Sequence, residues 1–157
     1  AVEAGMILAA LLFIRKVTNT TTVERVTPEY IREGAEHSLQ AHVLPEGVAV
    51  FRIHGPFLFG AADKLETIAE QIEQLPPVVM LRLRNMTAID ATGLHALESL
   101  ADQLHASGRS LILCGMRQQP NALLEQAEFH QHLGAENIQP SLSLALARAR
   151  QILAAQG

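Results

Sequence analysis

The chain has no tryptophan, one tyrosine and one cysteine, and only 4% of its residues are aromatic. So few aromatic side chains leave no platform on which successive nucleic-acid bases could stack. The lone Cys114 cannot close an internal disulfide, and such sparing use of cysteine fits a reducing compartment. No sign of charge dominates either: 12 basic and 16 acidic residues are mixed along the chain, for a formal net charge of −4. A nucleic-acid binder needs a basic face, and this balance argues against one. The apolar run at residues 4–14, AGMILAALLFI, falls short of the ~20 residues that a spanning helix requires. It has neither the basic leader nor the small-residue cleavage site of a secretory signal. GxSxG, the P-loop, HExxH and CxxC do not occur, and there is no internal repeat or low-complexity segment.

What is present is organised around residues 78–107. VVMLRL, at 78–83, follows Pro76-Pro77 and reads as a buried strand. Leu94, Leu97, Leu100 and Leu104 then recur at helical spacing and give a helix one apolar stripe. Between them lies Ile89-Asp90-Ala91-Thr92-Gly93, read as a polar loop. Asp90 suits the N-cap, where its carboxylate accepts from first-turn amides and complements the helix dipole. Gly93 allows close backbone approach. Strand, loop and helix start converge on a spot suited to an anion or a partner protein.

Elsewhere, alternation at 47–53 predicts a strand with Val48, Val50 and Arg52 on one face and Ala49, Phe51 and Ile53 on the other. His54-Gly55-Pro56 is expected to break it, with 57–60 as a separate short piece. A helix is predicted at 62–75, ended by Pro76-Pro77. A strand follows at 110–114, with Cys114 as packing and not as a nucleophile. A short helix at 120–127, an edge strand at 137–138 and a last helix capped by Ser141 complete the pattern. Residues 18–27, rich in threonine, read as a linker, extended in part. Residues 28–41 read as a short helix. Glu33, Glu36, His37 and His42 read as a solvated surface, because metal binding needs ligands converging on one face. No metal or other cofactor is expected. His130 and His132, two apart on a helix, would point away from each other, and no nucleophile or paired carboxylate forms a constellation, so the expectation is a non-enzyme. Strands alternating with helices predict an α/β sheet. Arg82 and Arg84, alternating with Leu81 and Leu83, predict one wet strand face and helices mainly on the other side of the sheet.

MTAIDATGLHALESL, at residues 86–100, resembles the signature loop and helix of STAS domains, a fold shared by anti-sigma-factor antagonists and the cytosolic tails of SulP-family anion transporters. The resemblance runs from about residue 47 to the C-terminus. GPFLFGAADKL resembles the SulP version. AGMILAALLFI, followed by Arg15-Lys16, is similar to the cytoplasmic end of the last SulP membrane helix. The antagonists read Asp-Ser-Ser/Thr-Gly at the loop, and the first hydroxyl residue accepts a phosphate. Ala91 stands at that position here, and Thr92 beside it is expected to serve helix capping.

The resemblance implies an α/β STAS-like fold: a sheet of about four to five strands with helices mainly on one face. It divides the chain into the end of a membrane helix (1–17), a linker and pre-domain segment (18–46) and the STAS domain (47–157). With a first residue Ala1 in place of methionine, the chain reads as a fragment or a processed chain. The implied function is that of a cytosolic regulatory domain on a SulP-type transporter of the sulfate, bicarbonate or dicarboxylate class, on the cytoplasmic side of the cell inner membrane. A soluble partner-switching protein is the alternative. Expected partners are the transporter's membrane domain, a second protomer and a cytosolic regulatory protein, with a weak nucleotide or anion as a further candidate at the helix start. The regulatory loop is Asp90, Ala91, Thr92 and Gly93. The partner-binding face is Thr92, His95, Glu98 and Asp102.

Overall fold

The apolar residues at 78–83 open the central strand, and the computed structural model carries that strand on to residue 89. The structure describes residues 2–26, 44–58 and 63–156. In order they form helix α1 (Val2–Thr20), strands β1 (Thr22–Val26) and β2 (Val48–Phe57), helix α2 (Asp63–Glu70), a 3₁₀ turn (Ile72–Gln74), β3 (Val78–Ile89), α3 (Ala91–Ala106), β4 (Ser110–Cys114), α4 (Gln118–Gln126), α5 (His130–Leu133), a second 3₁₀ turn (Ala135–Asn137), β5 (Ile138–Gln139) and α6 (Leu142–Gln156). The five strands form one sheet in the order β1-β2-β3-β4-β5. β1 runs antiparallel to β2, and each later pair is parallel. This is the expected α/β architecture, with helices carrying the chain back between parallel strands.

Two expectations fail together at one place. His54-Gly55-Pro56 does not end β2, which continues through two register shifts to pair Phe57 with Ile89. Gly55, at φ 94°, takes a backbone that other residues avoid. Pro56 has no amide to donate, but β1 stops pairing at His54, so that edge asks for none. The buried Thr21 hydroxyl donates to the Pro56 carbonyl instead. Because β2 continues, β3 keeps a neighbour past residue 83, where polar Arg84, Asn85 and Thr87 interrupt the apolar run and conceal the strand.

The threonine-rich stretch is helical to Thr20 and then forms the edge strand β1, so it is more ordered than a linker. The predicted helix after β2 is regular only to Glu70, and its last turn tightens to 3₁₀. Arg109 holds that turn by donating to the carbonyls of Leu75 (2.9 Å), Glu73 (3.2 Å) and Ser107 (3.2 Å). The expected helix at 28–41 lies outside the described residues, as do Glu33, Glu36, His37, His42, Phe59 and Gly60.

The core has two layers. On one face of the sheet, Ala49, Phe51, Ile53, Val79, Leu81 and Leu83 pack against α2, the leucine stripe of α3, Leu124 and Phe129. On the other, Val50, Val78, Met80, Ile112 and Cys114 pack against Ala145, Leu146 and Ala149 of α6, with Leu44 beside them. Helices thus lie mainly on one side. The wet face predicted from Arg82 and Arg84 begins only at Arg84, because Arg82 is 4% exposed.

Burial pushes the Cys114 thiol from 9.0 up to about 12, with the nearby Arg82 charge opposing the rise. The folded state therefore holds a proton that the unfolded chain releases. Stability is unaffected below pH 9 and falls between pH 9 and 12, at about 1.4 kcal/mol per pH unit from this group. Urea titrations at pH 8 and pH 10.5 should show a smaller alkaline loss for Cys114→Ala than for the parent, and the native thiol should stay silent to a thiol reagent at pH 8.

Candidate functional site

The sequence motif folds as a strand end meeting a helix start with one residue between them. β3 ends at Ile89, Asp90 caps, and Ala91, Thr92 and Gly93 are the first turn of α3 and not a loop. Asp90 has extended backbone, and its Oδ1 accepts from the Gly93 amide at 2.8 Å. Thr92 therefore does not cap the helix as expected. It stands exposed beside Ala91, and its side chain lines a groove toward α2.

Gly93 is buried, and the reason is steric. A Cβ there would lie 2.6 Å from both the Phe57 ring and the Phe57 carbonyl oxygen and 2.9 Å from Ile89. The close approach inferred from the sequence is real, and what approaches is the end of β2. Because the Asp90 carboxylate already occupies a first-turn amide, its charge opposes a second anion at this helix end.

Strand pairing supplies only half of what holds the site. β4 pairs with β3 from Val78↔Ser110 to Arg82↔Cys114, so among the described residues the later part of β3 has no strand on that side. Side chains from the α4 start replace it. Arg117 Nε donates to the Arg84 carbonyl at 2.8 Å. The Gln119 amide closes both bonds of Ile89: Oε1 accepts from its N–H at 3.1 Å, and Nε2 donates to its carbonyl at 3.2 Å. Ile89 is thus held by Phe57 on one side and by a strand-like side chain on the other. Neither residue was evident in the sequence, because a glutamine 30 positions away carries no periodic signal.

The expected partner face is a line of charge on α3. His95 is 84% exposed, with Nδ1 3.6 Å from Glu98. Asp102 lies one turn further on and is also exposed. The structure adds His132, which the two-residue spacing had set aside. α5 brings its Nδ1 to 3.1 Å from Asp102 and its Nε2 to 4.0 Å from Glu98, with its ring against Phe129. Two histidines and two carboxylates therefore alternate across α3 and α5. Among the described residues, no group of His, Cys, Asp or Glu is arranged to hold a metal ion.

A family model described as "STAS domain" matches residues 41–145. YvdB of Bacillus subtilis, named as a sulfate transporter, is 23% identical over 137 residues, 87% of this chain and 24% of its own length. The chain thus spans about a quarter of that curated relative. A sulfate transporter family protein from Wolinella succinogenes is 36% identical with a TM-score of 0.68, over 73% of this chain and 94% of that one. The STAS domain of a SulP transporter from Vibrio cholerae is 30% identical with a TM-score of 0.63, over 73% and 89%. An anti-sigma factor antagonist from Mycobacterium paratuberculosis shares the fold alone, at 14% identity and a TM-score of 0.61 over 83% and 94%.

Gly93→Ala should destabilise the chain by about 1–3 kcal/mol, because backbone and ring must move to admit the methyl group; equilibrium unfolding in urea measures it. Gln119→Met keeps the length but leaves the Ile89 polar groups unpaired, costing about 1–3 kcal/mol where they are shielded from water. Hydrogen exchange at the Ile89 amide should quicken in that variant, and unchanged exchange would refute the clamp.

Proposed function

This chain belongs to the STAS domain family, in the form that SulP-type transporters carry, and on that premise we propose that it is the cytosolic regulatory and docking domain at the C-terminus of a SulP-type anion transporter. The observation that carries this reading is α1. Val2, Met6, Ile7, Leu8, Leu11, Leu12 and Phe13 are all exposed, at 56–77%. Leaving such side chains in water forgoes about 1.5–3 kcal/mol each. A helix apolar all round belongs in a bilayer or a protein interior. No helix among the described residues is long and apolar enough to cross a membrane. α1 is accordingly read as the cytoplasmic end of a longer membrane helix, which leads into β1, the edge strand of the domain's sheet.

In this reading transport belongs to the membrane part, where substrate and coupling-ion sites normally lie near the bilayer midplane. The anion is of the sulfate, bicarbonate or dicarboxylate class. The STAS domain contributes no catalytic step. It contacts the membrane domain or a second protomer and presents Thr92, His95, Glu98 and Asp102 to a cytosolic regulator.

A partner-switching reading draws on the shared fold and on the exposed Thr92 hydroxyl. Ala91 counts against it, since the position matching the phosphate acceptor has no oxygen.

Fractionation of cells with an antibody to this domain should find the natural product in the inner membrane, at several hundred residues. A soluble product of about this size would overturn the reading. In the transporter, Glu98→Lys with Asp102→Lys should reduce co-purification of the cytosolic partner severalfold while leaving the domain folded; unchanged recovery would remove this face from docking.

A further inference from the structure

Between α2 and α3 runs a groove of about 270 Å³. Its floor is Leu65, Ala69, Ala96 and Leu100, and Glu66 and Gln103 stand on its rim. The two alanines keep the helices' facing sides low, and the trough is open to solvent along its length and not an enclosed ligand pocket. The outer side of α2 carries Asp63, Glu66 and Glu70 at three- and four-residue spacing, with Glu73 in the turn beyond. All four are exposed, and none forms an ion pair among the described residues. Asp63 and Glu66 complement the positive end of the α2 dipole. Glu70 is at the negative end, where an acid opposes the dipole and no basic residue relieves it. Helix stability does not account for an acid there.

We propose that this groove docks a basic amphipathic helix of a partner protein, its apolar residues seated over Ala69 and Ala96 and its lysines or arginines along Glu66, Glu70 and Glu73. An apolar trough beside a row of unpaired acids is complementary in both shape and charge to such a helix. The α6 helix of a second copy, which carries Arg148 and Arg150, does not supply it, because its apolar face is already buried on the sheet. The inference rests on the reading of this domain as a docking module and names the chemistry of what docks.

The test is an NMR titration of the ¹⁵N-labelled chain, held in zwitterionic nanodiscs on account of α1. The probe is a capped Ala/Lys helical peptide with leucines only at i, i+4 and i+7, compared with its Ala/Glu counterpart. Saturable shifts at Ala69, Ala96, Ser99 and Gln103 are expected, with the glutamate peptide at least tenfold weaker. Glu66→Lys with Glu70→Lys should raise Kd at least tenfold. Glu125→Lys with Glu128→Lys, equal in net charge but at the end of α4 and not on the groove, should change it less than twofold. Shifts scattered over the surface, equal weakening by the two charge reversals, or groove shifts that grow with chain concentration alone would each overturn the proposal. None of these readouts depends on fractionation, so a soluble natural product would refute the transporter reading and leave the groove test intact.

Discussion

Phe57 pairs with Ile89 only after β2 has absorbed two register shifts, and that pairing sets how closely α3 approaches the sheet. With the β2 end in place, there is no room for a side chain at residue 93. With α3 seated there, its leucine stripe falls over Phe51, Leu81 and Leu83 and closes the larger core layer. Where the helix start and the charged surface beyond it sit against the sheet is therefore a consequence of one strand register. A bulged strand serves this better than a regular one, because each shift re-aims the chain without ending the ladder.

The free edge of β3 gives the same front a second dependence. Strand β4 ends five residues into the pairing, and backbone groups past that point still need partners. Arg117 and Gln119 meet that need from the start of the next helix. The site is thus held by main chain on one side and by side chains on the other, and the side-chain half rests on the position of α4.

Charge at the surface is placed for orientation more than for stability. Exposed ion pairs contribute about 0–1 kcal/mol each, so the alternation of His95, Glu98, His132 and Asp102 adds little to folding. It does fix α5 against α3 and sets where negative charge faces solvent. The acids of α2 are different, since among the described residues they have no basic neighbour in an ion pair, and they flank an apolar trough. Asp90, a third kind, spends its charge on its own helix start.

Much of this could be read from the chain. The strand at 78–83, the leucines of α3, the Asp90 cap, the faces of β2 and the last helix follow from local period and capping chemistry, which act over a few residues and leave a pattern. The continuation of β2 through Gly55 and Pro56, and of β3 through Arg84 and Thr87, was hidden because each of those stretches looks like a break by itself. Only the neighbouring strand makes it extended. Likewise the role of Gln119 on Ile89, the meeting of His132 with Asp102 across 30 residues, and the groove between α2 and α3 were decided by packing. The sequence by itself determined the start of the central strand, the leucine helix and its Asp90 cap, because those depend on a residue and its near neighbours. Register, surrogate pairing and surface constellations belong to the tertiary structure, because each needs two segments whose approach is set by the whole core.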